Sequence, residues 1–473
     1  MHRAATRYAA RRILGQLPPA AWKSLTTTFV CLGVAFAISG LPTYEGLSSE
    51  GVRALFILLL CAGLWVTEAM PAFSVSLLAI GLEVALLGDS ASKNGDWEKY
   101  LATWGSPLIW LFFGGFVLAA AAKKTGLDLW MASQVLRRLG DRPAIVLLGL
   151  MIVTVVLSMF LSNTATATMM VAVLSPMLVS SKREAPYPRA LLLGIAMAAN
   201  VGGMGTIIGT PPNAIAAAAL TSGHEVNFAQ WMVYGIPPAT IMLAIAWGYL
   251  IYAHLPEGSF SPSDSAQLDK ATVSSSVPRL QQAIVILAFS VTILLWMTSP
   301  LHGLPTTVVS LIPICLLTAT GVLEGNDIRG LSWDVLLLIA GGLSLGVAVS
   351  DTGLASWLVA QLPFEGMSAL VMTLAIAYVT IVLSNLMSNT ATANLILPIF
   401  LVLIGSREHL AIPVALSASA AMCLPISTPP NAIVYGTNRL RSADLLRAGL
   451  LIGLVAPPIT LAWVTIVTTV TKW

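Results

Sequence analysis

Ser162-Asn163-Thr164-Ala165-Thr166-Ala167 is spelled twice in this chain, the second time as Ser388-Asn389-Thr390-Ala391-Thr392-Ala393. Working outward, Thr210-Pro211-Pro212-Asn213-Ala214-Ile215 also recurs unchanged, as Thr428-Pro429-Pro430-Asn431-Ala432-Ile433. Upstream, Gly114-Gly115 matches Gly341-Gly342, Thr125-Gly126 matches Thr352-Gly353, and Trp130 matches Trp357. The order is the same in both halves and the spacing is nearly constant, which is the mark of an internal duplication rather than of compositional chance.

What surrounds these motifs is apolar. The 473 residues are 57% hydrophobic and 10% charged, with a mean hydropathy of +0.85. An average soluble domain carries roughly 25% charged residues, so this surface is covered by lipid. Stretches of membrane-spanning length, roughly 17–25 residues, are expected at 25–41, 52–67, 71–88, 106–122, 190–219, 231–253, 281–298, 306–323, 333–350, 411–437 and 445–470, eleven in all.

Two further apolar regions, 143–180 and 367–405, are left out of that count. Lys123, Lys124, Arg137, Arg138 and Arg142 precede the first and Lys182, Arg183 and Arg189 follow it, so both of its ends face the cytoplasm by the positive-inside rule. Such a segment is either two tight spans or a re-entrant hairpin. The polar cluster at its midpoint favours the hairpin, because non-helical backbone at depth is tolerated only against protein or a cavity.

Arg3, Arg7, Arg11, Arg12 and Lys23 precede the first apolar run, which lacks a small-residue cleavage site. They read as a cytoplasmic anchor and not as a signal peptide. The polar interval from Pro256 to Pro278 divides the chain into a tail with the first helix (1–50), a first repeat (51–255), a linker (256–279) and a second repeat (280–473). Five spans separate the two copies, and an odd number inserts the second upside down. Inverted repeats of that kind place substrate near mid-membrane, where helices are broken.

The repeated motifs suit that role. Thr-Pro-Pro-Asn cannot run through a helix, since proline lacks the N–H and clashes with the preceding turn. Ser-Asn-Thr supplies hydroxyls, an amide and freed backbone groups without charge. Ser158 and Ser384 lie four residues before Ser162 and Ser388, a spacing that is expected to put each pair on one helix face. Neutral oxygens of this kind serve a small hard cation such as sodium. An anionic substrate is expected to meet backbone N–H groups at half-helix N-termini.

Other chemistry finds little support. Cys31, Cys61, Cys315 and Cys423 are scattered without a C-x-x-C pair and are expected to be buried packing residues, and His2, His224, His254, His302 and His409 form no zinc signature. No nucleophile–base constellation points to an enzyme, and no basic, aromatic stripe points to nucleic acid. Glu83, within the third apolar run, is an intramembrane acid and hence a proton-site candidate, although an interior or dimer contact is the stronger reading. Glu68 reads as interfacial. A channel stays open as an alternative to a carrier.

At the two Ser-Asn-Thr motifs, the two Thr-Pro-Pro-Asn breaks and Trp65-Val66-Thr67-Glu68-Ala69-Met70-Pro71, the sequence resembles the divalent anion:sodium symporter family, sodium-coupled dicarboxylate and citrate carriers among them. The resemblance covers nearly everything after residue 50. It implies an all-α integral membrane protein of eleven transmembrane helices plus two re-entrant hairpins. It further implies a homodimer with scaffold and transport domains and elevator-type movement, here in the cytoplasmic membrane of a bacterium with the N-terminus inside.

Carried over by position, Ser158, Ser162, Asn163 and the backbone near Gly209 form one sodium site; Ser384, Ser388, Asn389 and the backbone near Ser427 form the other. Asn163, Thr164, Asn389 and Thr390 hold substrate carboxylates, with Thr210, Pro211, Thr428 and Pro429 lining the pocket. Family members that exchange carboxylates without sodium tend to lose sodium ligands, and both sets are complete here. The implied activity is sodium-coupled symport of C4-dicarboxylates of the succinate, malate and fumarate class; citrate or sulfate transport and sodium-independent exchange are the alternatives. Ser427, where a smaller residue is usual, and Glu83 depart from the family pattern.

Overall fold

A computed structural model describes residues 18–41, 44–88, 96–136, 142–180, 185–220, 226–254, 278–362, 366–401 and 408–471. The basic tail before residue 18, Arg137, Arg138, Lys182, Arg183 and nearly all of the polar linker lie outside the described residues. Regular structure among the described residues is entirely helical. The first half contains α1 (Pro19–Ser39), α2 (Ser49–Thr67), α3 (Ala72–Leu86), α4 (Glu98–Ala102), α5 (Pro107–Lys124) and α6 (Leu127–Leu136). It continues with α7 (Pro143–Ser158), α8 (Asn163–Ser180), α9 (Pro186–Gly202), α10 (Pro211–Ala219) and α11 (Phe228–His254). The second half contains α12 (Arg279–Met297), α13 (Ser299–His302), α14 (Thr306–Ala319), α15 (Gly325–Arg329), α16 (Trp333–Asp351) and α17 (Leu354–Ala360). It closes with α18 (Ala369–Leu386), α19 (Asn389–Phe400), α20 (Glu408–Ser419), α21 (Pro429–Gly436) and α22 (Ser442–Thr471).

Eight helical segments among the described residues are long and apolar enough to cross a membrane: α1, α2, the run Glu98–Lys124 containing α5, α11, α12, α16, α18 and α22. The expected spans at 71–88 and 306–323 are the shorter apolar helices α3 and α14. Those at 190–219 and 411–437 are each interrupted, as α9 then α10 and as α20 then α21. The breaks fall where the duplicated prolines demand them, with Pro211 and Pro429 each opening the new helix. α18, inside the region left out of the count, meets the length and composition of a full span.

The two copies trade partners. A Cβ on Gly114 of α5 would lie 2.9 Å from Ser310 of α14, and Gly341 of α16 meets Ser76 of α3 in the same way. Each glycine lets a helix of the other half approach closely, as small residues do between membrane helices. Val75-Ser76-Leu77 and Val309-Ser310-Leu311 are thus a further pair of repeat counterparts. Two ion pairs fix the direction of the exchange. Lys99 on α4, just before α5, meets Asp351 at the end of α16 at 2.9 Å; Lys124 at the end of α5 meets Asp327 on α15, just before α16, at 2.6 Å. α5 and α16 therefore run antiparallel.

α11 and α22 pack on each other, and each carries a Pro-Pro pair within its length, Pro237-Pro238 and Pro457-Pro458. Both helices open on a side chain that caps their own start: Gln230 accepts from the N–H of Asn227, and Asp444 from that of Arg441. Asp444 also pairs with Arg189 of α9 at 2.8 Å, and Arg439 donates to the carbonyl of Leu178 near the end of α8. These contacts gather the ends of α8, α9 and α22 that the charge pattern assigns to one face. α6 packs against both α7 and α8.

Most of the interior is one apolar core, and a second cluster joins α1, α2 and α3 to α16, α17 and the start of α19. Cys31 and Cys61 are buried as expected, Cys423 is half-buried, and Cys315 is instead exposed on the outer surface of α14. Glu68 is the exposed left-handed residue that ends α2 at φ 49°.

Candidate functional site

Each Ser-Asn-Thr motif is the start of a helix. α7 ends at Ser158, and Ser162 caps α8 by accepting from the N–H of Ala165 at 3.2 Å. α18 ends at Leu386, and Ser388 caps α19 by accepting from that of Ala391 at 3.2 Å. The expectation that Ser158 and Ser162, or Ser384 and Ser388, share one helix face is therefore corrected. The chain turns between them, burying Ser158 and Ser384 and exposing Ser162 and Ser388. The N–H groups of Asn163, Thr164, Asn389 and Thr390 occupy the first turns of their helices and have no acceptor within them.

Behind each tip a serine hydroxyl faces an asparagine oxygen, and in the first copy the oxygens outnumber the protons. Ser158 Oγ is 2.7 Å from Asn163 Oδ1 and 2.7 Å from the carbonyl of Ala199. One hydroxyl proton serves two acceptors there. Gly203 faces the same point: a Cβ on it would stand 2.8 Å from Asn163 Oδ1 and 3.2 Å from the carbonyl oxygen of Gly209. The structure thus brings Ser158, Asn163 and the Gly209 carbonyl together, while the Ser162 hydroxyl is spent on its cap. In the second copy Ser384 Oγ donates to Asn389 Oδ1 at 3.1 Å. The Ser427 hydroxyl is committed elsewhere, donating to Asn385 Oδ1 at 2.9 Å and accepting from the N–H of Leu424 at 2.9 Å.

The broken segments are held by the asparagine that ends each Thr-Pro-Pro-Asn. Asn213 Nδ2 donates to the carbonyls of Gly203 and Thr206 at 2.9 and 2.8 Å. Asn431 Nδ2 does the same to Met422 and Leu424 at 2.8 and 2.9 Å. Thr210 and Thr428 are buried, Pro211 is half-buried and Pro429 exposed. Thr390 is buried at 8%, whereas its counterpart Thr164 is exposed. α8 packs on α21 and α10 on α19, so each Ser-Asn-Thr helix lies against the half-helix of the opposite copy. Asn200 of α9 crosses between the halves, donating to Thr428 Oγ1 at 3.1 Å and Asn431 Oδ1 at 3.3 Å.

Asn200, Gly203, Asn213, Asn385 and Asn431 were not singled out by sequence reasoning. Asn213 and Asn431 carried a signal, being part of a duplicated motif that was read only as a helix breaker. Asn200 and Asn385 carried none, because neither is duplicated: Ala418 and Met159 stand at the counterpart positions. A cavity of about 980 Å3, bounded by Ser106, Ile215, Thr306, Gly346 and Leu397 among others, lies between α5, α10, α14, α16 and α19 and is lined by none of the expected site residues. The chemistry of the site is in the crossed motifs.

Comparison with known proteins gives the family. A family described as "Sodium:sulfate symporter transmembrane region" matches residues 20–473. The chain is 33% identical over 448 residues to a sodium-dependent dicarboxylate transporter, SdcS, of Staphylococcus saprophyticus, covering 87% of this chain and 85% of the relative. It is 31% identical over 450 residues to the protein of that name from Staphylococcus aureus, with the same coverages. Among solved structures, the Alcanivorax borkumensis YdaH transporter superposes with a TM-score of 0.55 at 14% identity, over 85% of this chain and 99% of that one. Neisseria gonorrhoeae MtrF, from a class of antimetabolite efflux pumps, does so with a TM-score of 0.55 at 12% identity and 95% coverage of each. At these identities the two structures speak for the fold alone.

Proposed function

Since the chain belongs to the sodium:sulfate symporter family, and is on that ground an integral membrane transporter and not an enzyme, we propose that it carries C4-dicarboxylates across a bacterial cytoplasmic membrane by sodium-coupled symport. The observation that carries this reading is the duplicated tip: a hydroxyl facing an asparagine oxygen, Ser158 with Asn163 and Ser384 with Asn389, beside a helix start whose first N–H groups have no acceptor within the helix. The neutral oxygens, short of protons in the first tip, suit a cation. The N–H groups, with the side chains of Asn163, Thr164, Asn389 and Thr390, suit a carboxylate. Two such tips, one per copy, match a substrate with two carboxylates. The dicarboxylate named for the staphylococcal relatives supports that choice.

In this reading, sodium bound at Ser158, Asn163 and the Gly209 carbonyl, and at Ser384, Asn389 and the backbone near Ser427, sets the asparagines for substrate. The hydroxyls of Ser162 and Ser388 complete the two sites once they turn from their caps. Thr210, Pro211, Thr428 and Pro429 line the approach. The α7–α8 and α18–α19 pairs are re-entrant hairpins in an inverted repeat of eleven spans with the N-terminus inside, and the antiparallel course of α5 and α16 supports the inversion. α16 rests on α10 and α19, whereas among the described residues α5 makes no comparable packing with their counterparts α21 and α8. Such one-sided packing is what an elevator-type transport domain produces at one end of its travel, carried on the scaffold of a homodimer.

The deciding experiment is uptake of succinate, citrate and sulfate into proteoliposomes with and without a sodium gradient. Sodium-dependent succinate uptake that accelerates when unlabelled succinate is loaded inside supports a carrier; a channel shows no such acceleration. Sulfate or citrate uptake without succinate uptake transfers the reading to those anions, and exchange indifferent to sodium removes the coupling.

A further inference from the structure

We infer that a further sodium ion is held where α10, α19 and α20 meet, at a point for which the opposite junction carries a built-in substitute. Residues 199–210 align without a gap on 417–428, pairing Met204 with Met422, Ile208 with Ile426 and Asn200 with Ala418. In the first junction the buried Asn200 amide donates across to Thr428 Oγ1 and Asn431 Oδ1, at 3.1 and 3.3 Å. The counterparts of those acceptors are Thr210 and Asn213, and opposite them stands only the methyl group of Ala418.

Two oxygens are left over in consequence: Asn213 Oδ1, whose counterpart Asn431 Oδ1 has Asn200, and Ser417 Oγ, whose counterpart is Ala199. Both are buried without a hydrogen-bond partner, as is Thr392 Oγ1, which shares that state with its counterpart Thr166, and each is on a residue at 0% exposure. They lie in the first turns of α10 and α19 and the last turn of α20, three helices that pack on one another. The orientation of the Asn213 amide is fixed, because its Nδ2 already serves two carbonyls and a flip would forfeit both. Its oxygen is therefore the unpartnered end of the amide.

A helix N-terminus ordinarily repels a cation, but α10 opens with Pro211 and Pro212, which have no N–H, and the N–H of Asn213 is taken by the carbonyl of Thr210 at 3.1 Å. The end of α20 contributes the negative pole of its dipole. Neutral oxygens without competing donors are the environment a hard cation takes. Where the first copy supplies an amide NH2, the second is completed by an ion.

This inference rests on the sodium-coupled reading and is tested within it. The number of coupled ions follows from how apparent substrate affinity changes with sodium concentration in proteoliposomes. Ala418→Asn, which supplies the missing amide, is expected to transport with one coupled ion fewer, so that a tenfold change in sodium moves affinity about tenfold less than in the wild type. Ser417→Ala is expected to keep the ion count while raising the sodium needed for half-maximal uptake. Wild-type sodium dependence in both variants, with both folded, overturns the inference in favour of a buried water. Should Ala418→Asn fail to fold, unchanged sodium dependence in Ser417→Ala overturns it alone. Loss of sodium dependence in the wild type itself removes the proposed function, a result distinct from either.

Discussion

Lys124 Nζ lies 2.6 Å from Asp327 Oδ2, and this contact ties the end of a helix in one half of the chain to the short helix that introduces its counterpart in the other. The Lys124 hydrogen bond holds the Asp327 carboxyl below the ordinary aspartate range. A depressed carboxyl pKa contributes stability that is complete above the unfolded value of about 3.9 and is lost as pH falls through the folded one. Both side chains are partly exposed, so truncation as Lys124→Ala is expected to cost no more than about 1 kcal/mol. Asp327→Lys should lower the melting temperature further at neutral pH. The exchange Lys124→Asp with Asp327→Lys should recover the part that belongs to the pair, though not the cap that Asp327 gives the Glu324 N–H, and thermal unfolding in detergent at low and high salt reads all three. A double exchange no better than the single change counts against a specific pair.

The second prediction separates roles within one motif. Thr390 is buried at the start of α19 and Ser384 faces Asn389 Oδ1 behind it. A hydrogen bond to a charged group contributes about 1.5–3 kcal/mol, or one to two orders of magnitude in affinity. Thr390→Ala should weaken substrate binding by that amount and leave sodium binding nearly intact. Ser388→Ala and Ser384→Ala should shift the sodium requirement first. Equilibrium binding of each partner at saturation of the other is the measurement, and identical patterns would refute the division.

The asparagine staples carry the third. Removing the Asn213 or Asn431 amide takes the side-chain donor from two carbonyls of each break; Thr206 and Leu424 keep the N–H of Gly209 and Ser427, so the loss falls mainly on Gly203 and Met422, at roughly 1–3 kcal/mol. Asn213→Leu and Asn431→Leu should therefore lower thermal stability strongly and by similar amounts, although neither amide is expected to touch substrate. A variant of wild-type stability would mean that the breaks hold themselves.

Glu83 supplies the fourth. Its side chain is fully buried and bonded to Ser344 of α16, and the counterparts Val117 and Leu317 are buried apolar residues. That places Glu83 in helix packing, away from the Ser-Asn-Thr tips. Glu83→Gln keeps the shape and a hydrogen-bonding group, so sodium-driven uptake should persist within about twofold, a free-energy change well under 1 kcal/mol. Abolished uptake in the folded variant would restore the proton-site reading.

The breaks and tips were legible because they rest on local rules. A proline pair that follows Thr and precedes Asn opens a new helix in both copies, although Pro237-Pro238 and Pro457-Pro458 are carried inside α11 and α22, and Ser before Asn-Thr caps one. Identical spelling in both halves removed the ambiguity of short motifs. Partner exchange was not legible. Nothing local says that Gly114 packs on Ser310 and not on Ser76, or that Ser427 is engaged by Asn385 and so gives up its hydroxyl. The helix-face reading of Ser158 and Ser162 failed for a related reason, since i,i+4 spacing identifies a face only if the helix continues, and here it stops at Ser158.

The cross-half ion pairs run the same way: the cations, Lys99, Lys124 and Arg189, belong to the first half, and the aspartates, Asp351, Asp327 and Asp444, to the second. Were the chain cut in its linker and the pieces allowed to choose, two first halves laid antiparallel would set lysine near its own kind, and two second halves would oppose aspartates. Only the mixed pair satisfies both ends at once. The charges thus favour the mixed pair over either like pair, a polarity that duplication alone would not have produced.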